Sequence, residues 1–235
     1  MLKSKCADKR KMKINKLFGV EGAKKAKGIV IIIDIFRAAT VEAFLLDKGV
    51  KEIIPVATPE EAFTYKKENP DYVLCGEDYG HSIEGFDLGN SPFDISKAVN
   101  LKDKTIVHRT SQGTQGIVNA KNAEEIIFGS FVTASAISDY LIKKNPSVCS
   151  IIAMDESGSE DEVFADFLIS KLKNELSRDI DEITEYLSKY HTAAKFLNPD
   201  ISEFSKEDFY LCMDVDKFDF IPLVQEKRVI KYTNR

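Results

Sequence analysis

The stretch GIVIIIDIFRAATVEAFLLDKG, residues 28–49, decides the fold. Its first part, residues 29–35, is an apolar and mostly β-branched run that is typical of a strand buried on both faces of a sheet. The part that follows, residues 37–49, predicts a helix ending at Gly49, and KEIIPVA (51–57) predicts the next strand. A buried strand, a helix and a second strand in this order indicate parallel pairing through a right-handed crossover.

The same alternation continues along most of the chain. Further strands are predicted at 13–18, 72–75, 105–108, 125–128 and 148–154, and helices at 58–69, 133–144 and from 160 onward. Beyond them we expect a helix at 180–190, helical FYLCMD (209–214) and a terminal hairpin of FDFIPLV (218–224) and RVIKYT (228–233). The predicted fold class is α/β, a mostly parallel sheet with helices on both faces. Because no Pro/Gly/Ser-rich linker divides the chain, we expect one domain over residues 1–235, built either as one body or as two α/β lobes.

Composition excludes several classes of protein. The 235 residues include 33 Lys and Arg against 38 Asp and Glu, so the net charge of -5 argues against nucleic acid as the main partner. Cys6, Cys75, Cys149 and Cys212 form no CxxC pair, which predicts a reducing, cytoplasmic setting. No apolar segment follows the basic start MLKSKCADKRKMK, and no run approaches the roughly 20 apolar residues that span a bilayer, so we expect neither a signal peptide nor a membrane partner. A homo-oligomer is compatible with all of this.

Polar residues follow the predicted strands, at the edge where ligands of open parallel sheets bind. Asp34 comes directly after the apolar residues 29–33. A carboxylate at the end of a buried strand needs a cation such as Mg²⁺ or hydrogen-bond donors. The alternative interpretation is that Asp34 only caps the N-terminus of the next helix. Arg37 stands in the first helical turn, where a cation is disfavoured by the helix dipole unless an anion is held nearby. Glu77 and Asp161 follow two further strands.

Two short segments combine glycines with donors. HRTSQGTQG offers a phosphate cradle, with a helix N-cap turn as the alternative; its candidate residues are Arg109, Thr110, Ser111, Gly113 and Thr114. GFDLGNSP offers Asp87, Asn90 and Ser91, with a tight surface turn as the alternative. Neither a Walker loop nor a GxGxxG motif occurs. The three histidines, His81, His108 and His191, show no metal-ligand spacing and are interpreted as structural, with His81 the candidate exception because it lies in a long loop.

The segments IVIIIDIFRAAT, GED…EGFDLGNSP, RTSQGTQG and SGSEDEVFADFL resemble, in order and approximate spacing, the 2-phosphosulfolactate phosphatase (ComB-like) family. The resemblance implies an α/β magnesium-dependent phosphatase, a phosphoric monoester hydrolase acting on phosphosulfolactate on a route to coenzyme M. Two segments depart from the family pattern. Many members read GERGG where this chain has GEDYG (76–80), and TTNGT where it has TSQGT (110–114) preceded by Arg109. We therefore expect that the arginine has been relocated and that Asp78 faces the substrate.

For such a reaction the residues divide into roles. We expect Arg37, Arg109 and the SQGTQG amides to bind the phosphate, and Asn90 and Ser91 to contact the rest of the substrate. Carboxylates of Asp34, Glu77 and Asp161 would hold Mg²⁺, and Asp87 would position water or protonate the leaving alkoxide. Two alternatives stay open. One is a haloacid-dehalogenase-type phosphatase with Asp34 as nucleophile, although Phe36 stands where that DxDxT motif has its second acid. The other is a non-catalytic phosphate- or nucleotide-binding regulatory module.

Overall fold

The computed structural model describes residues 12–175, 178–201 and 204–233. Cys6 and the basic N-terminal stretch lie outside these residues. The strands are β1 (Lys13–Phe18), β2 (Gly28–Ile33), β3 (Glu52–Val56), β4 (Val73–Gly76), β5 (Thr105–Arg109), β6 (Ala123–Gly129), β7 (Val148–Ala153), β8 (Ile221–Gln225) and β9 (Arg228–Tyr232). The helices are α1 (Gly19–Lys25), α2 (Ala38–Asp47), α3 (Pro59–Glu68), α4 (Pro92–Lys97), α5 (Gly113–Asn119), α6 (Ala134–Lys144), α7 (Glu160–Lys173), α8 (Ile180–Ser188), α9 (His191–Leu197) and α10 (Lys206–Cys212).

The nine strands form one sheet in the order β1-β7-β2-β6-β8-β9-β3-β5-β4. Neighbours within β1-β7-β2-β6 and within β3-β5-β4 pair in parallel, so the sheet contains two parallel blocks. The hairpin β8–β9 lies between the blocks and pairs antiparallel with β6 on one side and β3 on the other. The predicted α/β class with a mostly parallel sheet is confirmed, while the single-domain assignment stays a prediction.

Helices cover both faces of the sheet, which explains the continuous apolar sequence of β2. All six residues of this strand are buried. Val30 and Ile32 pack into one cluster with Leu45 of α2. Ile31 packs into a second cluster with Phe164 of α7. A strand that buries alternate side chains in two different cores has no position for a polar residue until it ends at Asp34.

The predicted terminal hairpin is confirmed. Although it comes last in the sequence, it lies in the middle of the sheet, between β6 and β3. Ile127 of β6 pairs with Leu223, and Ile53 of β3 pairs with Val229. Its two-residue turn has positive φ angles at both Glu226 (48°) and Lys227 (64°). These are the angles of a type I′ turn, for which Asn-Gly is the usual signal.

Helices α1, α4 and α9 were not predicted, and α5 was implied only by the helix N-cap alternative for its segment. Helix α4 begins in the Gly- and Asp-rich segment, where Ser91 Oγ accepts a hydrogen bond from Asp94 N and Pro92 occupies the first helical position. Helix α9 follows α8 after two residues. Among the described residues, none of the helices combines the length and the apolar character needed to cross a bilayer.

Candidate active site

A cleft of about 170 Å³ lies at the carboxyl ends of β2, β4, β5 and β7. Its lining comes from both parallel blocks of the sheet and from the segment that contains α9. Of the residues predicted from sequence, those that line it are Asp34, Arg37, Glu77, Asn90, Ser111 and Asp161. The expected position of the site beyond the strand ends therefore agrees with the geometry.

Asp161 joins the ends of two strands. Its Oδ1 accepts from Ile35 N at 2.8 Å, and its Oδ2 accepts from Met154 N and Asp155 N, each at 3.1 Å. Burial, together with the nearby carboxyl groups of Glu160 and Asp34, raises the pKa of Asp161. Both oxygens of Asp161 are therefore committed to backbone amides that hold the floor of the cleft.

Asp34 is a buried acid at the end of β2 whose carboxyl group is strongly perturbed by its surroundings. Burial is the main cause that raises its pKa to about 7; the hydrogen bond from Ala38 N to Oδ1 opposes the rise, and Glu77 and Glu160 add to it. The N-cap position of α2 is Arg37 and not Asp34, although Asp34 Oδ1 does accept from the amide of Ala38, the first residue of this helix. A carboxyl group with this pKa changes charge near neutral pH, which is a property of functional acids.

Gly113 lets α5 approach Asp34 closely. A Cβ atom at this position would lie 2.7 Å from Asp34 Oδ2, 2.6 Å from Phe128 Cζ and 2.8 Å from Ala38 Cβ. Gly113 therefore shapes the space around the acid rather than lining the cleft itself.

Glu77 and Ser111 connect the loops after β4 and β5. Glu77 Oε1 accepts from Ser111 N at 2.6 Å, and Glu77 Oε2 accepts from Gly80 N at 2.5 Å and from Ser111 Oγ at 3.3 Å. Like Asp161, Glu77 uses both oxygens for internal hydrogen bonds. Its carboxylate organises the two loops around the cleft.

Arg37 is held by the C-terminal part of the chain. Its Nη1 donates to Asp208 Oδ2 at 2.7 Å, and both side chains are buried. Its guanidinium carbon lies 5.0 Å from the ring centroid of Phe204 and 5.4 Å from that of Phe196. Ser91 Oγ donates to Asp208 Oδ1 at 2.8 Å. Ser91 therefore supports Arg37 through Asp208 and does not line the cleft, contrary to its predicted substrate contact.

Helix α9 supplies residues that sequence reasoning missed. Thr192 and Lys195 line the cleft, and Thr192 Oγ1 donates to Glu160 Oε2 at 2.5 Å. Burial raises the pKa of Glu160. Burial and the nearby Arg37 guanidinium lower the pKa of Lys195. The sequence feature that could have indicated this part of the site is Glu160, an acid at the start of the helix that follows β7.

Arg109 lies beside the cleft and does not line it. Its Nη1 donates to Glu77 O at 2.5 Å and to Asp78 Oδ1 at 2.6 Å, while its Nε is buried without a hydrogen-bond partner. The predicted phosphate contact of Arg109 is corrected to a clamp on the loop after β4. Asp78 pairs with this arginine and does not line the cleft, so the two departures from the family pattern compensate each other.

Thr110 and Thr114 form a closed pair at the start of α5. Thr110 N donates to Thr114 Oγ1, and Thr114 N donates to Thr110 Oγ1, each at 3.1 Å. Both residues are buried and outside the cleft lining. Their bonds brace the turn into α5, whose N-cap position is Gln112 and has no side-chain cap hydrogen bond.

Asp87 also lies outside the cleft. Its Oδ2 accepts from Leu74 N at 2.8 Å and from Lys66 Nζ at 3.1 Å. The side chain fastens its loop to β4 and α3, and we do not retain the predicted catalytic role. His81, the candidate exception among the histidines, pairs its backbone with Asp78 and is not part of the lining.

The predicted metal set of Asp34, Glu77 and Asp161 is revised by these contacts. Across residues 12–175, 178–201 and 204–233, no three His, Cys, Asp or Glu side chains are arranged to hold a metal ion together. Glu77 and Asp161 use both oxygens for internal hydrogen bonds, whereas the bonds described for Asp34 and Glu160 engage only Asp34 Oδ1 and Glu160 Oε2. Mg²⁺ is commonly held by one or two carboxylates together with water and substrate phosphate, and two hard oxygen donors of this kind fit it.

Comparisons with known proteins agree with one another. The sequence model of a family described as 2-phosphosulpholactate phosphatase matches residues 19–227. A protein of Bacillus subtilis (strain 168) named "Probable 2-phosphosulfolactate phosphatase" is 32% identical over 200 residues, covering 84% of this chain and 87% of that protein. Proteins of the same name are 37% identical over 174 residues in Carboxydothermus hydrogenoformans, covering 73% and 72%, and 30% identical over 241 residues in Clostridium novyi (strain NT), covering 94% and 100%.

Proposed function

Because the chain belongs to the 2-phosphosulpholactate phosphatase family, we propose that it hydrolyses the phosphate monoester of 2-phosphosulfolactate, releasing sulfolactate and inorganic phosphate. The observation that carries the proposal is one small cleft, at the strand ends, in which a buried arginine and a partly buried lysine face a group of acids with raised pKa. Cations bind an anionic ester, and acids at its side supply the charge and proton chemistry that hydrolysis requires.

Binding of the substrate falls to the cationic side of the cleft. Arg37 and Lys195 would neutralise the oxygens of the phosphate, since phosphoryl transfer depends on positioning and on stabilising charge at those oxygens. Ser111 and Asn90 would orient the remaining polar groups of the substrate. The rings of Phe36 and Phe204 restrict access of water to the same space.

Charge balance supports a requirement for Mg²⁺. The lining has two cations against five carboxyl groups, those of Asp34, Glu77, Asp155, Glu160 and Asp161. With these acids ionised, a phosphorylated acid would be repelled from the cleft. Asp34 and Glu160 would hold the ion, which when bound supplies positive charge next to the phosphate and activates water. The acids themselves shape the site and orient the ligand.

The alternatives from sequence gain no support from the geometry. Phe36 stands where the haloacid dehalogenases have their second acid, two residues after Asp34. Its ring packs on the rings of Phe196 and Phe209. A purely anion-binding module would gain nothing from the excess of buried acids. For the cellular setting, Cys75, Cys149 and Cys212 are buried free thiols, which fits the cytoplasmic location that we propose.

The test is a phosphate-release assay on the purified chain. Phosphosulfolactate is compared with phospholactate, which lacks the sulfonate, and with phosphoglycolate, each with Mg²⁺ and after chelation. We expect Mg²⁺-dependent release that is fastest with phosphosulfolactate. Release from none of the three would contradict the phosphatase proposal, equal rates on all three would contradict the sulfonated substrate, and full activity after exhaustive chelation would contradict the metal.

A further inference from the structure

A chain of three polar side chains runs from the cleft into the interior, and the roles above do not use its two inner members. His108 on β5 and Glu42 on α2 are fully buried. His108 Nδ1 lies 2.8 Å from Glu42 Oε1, and His108 Nε2 lies 3.3 Å from Oδ1 of Asn90. Asn90 lines the cleft. Sequence reasoning assigned His108 a structural role only.

The proton positions in this chain follow from what each atom can bond. Glu42 Oε2 is buried without a hydrogen-bond partner, so a proton placed on Oε2 would find no acceptor, and an unpaired negative charge there would be costly. A pair with no net charge, either carboxylic acid with imidazole or carboxylate with imidazolium, places a proton between Glu42 Oε1 and His108 Nδ1 and leaves no uncompensated charge; a carboxylate beside a ring protonated only on Nδ1 would leave a buried net negative charge. In either state the second ring nitrogen, Nε2, carries a proton and donates to Asn90 Oδ1.

We propose that Glu42 and His108 are positioning residues that fix the side-chain amide of Asn90, so that its Nδ2 donates a hydrogen bond to an anionic oxygen of the substrate. With Oδ1 engaged by the ring, Nδ2 is the part of the amide left for the cleft. Without the ring donor nothing fixes the orientation of the amide, so it rotates between a conformer that offers Nδ2 and one that offers Oδ1, and only the first can donate to an anion. The identity of the substrate rests on the proposed phosphatase function; the orientation of the amide does not.

The first test reads the ring directly and involves no catalysis. His81 and His191 are exposed, so replacing both by Gln leaves His108 as the single imidazole of the chain. Nitrogen-15 NMR at neutral pH should then show a proton on Nε2, either as the neutral Nε2–H tautomer or as imidazolium. A neutral ring protonated only on Nδ1 would overturn the proposal, because Nε2 would then be an acceptor.

The second test is a double-mutant cycle measured on kcat/KM with phosphosulfolactate and Mg²⁺. His108→Phe should lower kcat/KM by about 10- to 100-fold, the range expected for a hydrogen bond to a charged group. The same substitution in an Asn90→Ala background should have no further effect, because the residue through which it acts is gone. Glu42→Gln, whose amide can donate to Nδ1, should keep most of the activity, and Glu42→Leu should lose it.

The control is Thr105→Val on the same strand, which removes a hydrogen bond from Thr105 Oγ1 to Glu52 Oε1 away from the cleft. Its effect on kcat/KM should be small and equal in both backgrounds. Multiplicative losses for His108→Phe and Asn90→Ala would overturn the positioning role and indicate a structural one. If His108→Phe does not fold, the comparison of Glu42→Gln with Glu42→Leu decides, and equal activity of these two variants contradicts the proposal. A wild-type chain inactive on phosphosulfolactate contradicts only the proposed function, since the NMR result stands apart from it.

Discussion

Lys195 is a cation of the cleft lining that the sequence did not predict and that we expect to contact the substrate. It is a partly desolvated cation in the cleft lining, beside Arg37, and it lies at a distance of 4.6 Å from the ring centroid of Phe204. We expect Lys195→Met to lower kcat/KM by about 10- to 100-fold, mainly through KM, because a charge-assisted contact to the phosphate is lost.

The matched control for this prediction is Lys189→Met. Lys189 is exposed and pairs with Glu185 on α8, outside the cleft. Steady-state kinetics should show wild-type values for it, and the thermal midpoints of both variants should be close to that of the wild type. Equal KM values for Lys195→Met and wild type would remove Lys195 from the site.

Arg37 lines the cleft and also forms a buried ion pair with Asp208, so it contributes both to the site and to stability. Its buried pair with Asp208 means that Arg37→Ala leaves an uncompensated carboxylate, which costs about 3–5 kcal/mol in such sites. We therefore expect Arg37→Ala to lower the free energy of unfolding, measured by chemical denaturation, as well as kcat/KM.

The buried acids predict how stability depends on pH when magnesium is chelated. The folded-state pKa of Asp34 is about 7, and burial also raises the pKa values of Glu160, Asp161 and Glu42. A folded-state pKa above the unfolded value means that the folded chain keeps protons that the unfolded chain releases. The free energy of unfolding should therefore fall as pH rises from about 4 to about 7.

Thermal unfolding measured across this pH range, with and without Mg²⁺, checks the prediction. Mg²⁺ should raise the midpoint more at the alkaline end, where the acids are ionised and free to bind it. Asp34→Asn should show a weaker pH dependence and a smaller gain from Mg²⁺. A midpoint that rises with pH in the chelated wild type would contradict the raised pKa values.

At the scale of elements, the close approach of α5 to α2 depends on one glycine. Gly113→Ala places a Cβ within 3 Å of Asp34 Oδ2, Phe128 and Ala38, so the start of α5 must move. We expect a loss of about 1–3 kcal/mol in unfolding free energy, measured by chemical denaturation, and a clear drop in kcat because Asp34 is displaced.

Gly89→Ala is the control for this substitution. A Cβ at Gly89 would meet no atom within 4 Å, and its φ is not in the left-handed region. Its stability and activity should match those of the wild type. If Gly113→Ala behaves like Gly89→Ala, α5 does not constrain Asp34.

At the scale of the whole molecule, the hairpin β8–β9 joins the two parallel blocks of the sheet. Leu223 is buried in β8 and pairs with Ile127 and Ile230. We expect Leu223→Ala to cost about 2–5 kcal/mol and to lower the hydrogen-exchange protection of β2 and β5 by similar factors, since both blocks depend on this link.

Ile142→Ala, an aliphatic truncation at an exposed site on α6, serves as the control. It should leave protection in both blocks unchanged. Loss of protection in β2 alone, with β5 unaffected in Leu223→Ala, would show that the blocks unfold independently.

The sequence by itself determined most of the elements and the position of the site beyond the carboxyl ends of strands. The apolar run of β2, the capping residues at Thr58 and Pro59 and the terminal apolar pairs are local patterns, and local patterns report backbone conformation and burial. The prediction that Asp34, Glu77 and Asp161 lie near one another assumed a single parallel sheet whose strands all end at one edge. The antiparallel hairpin makes the two blocks run in opposite directions, yet the carboxyl ends of strands from both blocks meet at the cleft.

Only the tertiary structure decided which of these side chains line the cleft. Arg37 meets Asp208 from 171 residues away, and α9 brings Lys195 into the cleft, contacts that no periodicity records. Arg109 and Asp87 have the residue types of a site, but nearer hydrogen-bond partners hold both of them. The insertion of the hairpin between the blocks was likewise set by pairing over long sequence distances. Local sequence specifies conformation and chemistry, whereas burial, charge state and orientation depend on neighbours that folding alone assembles.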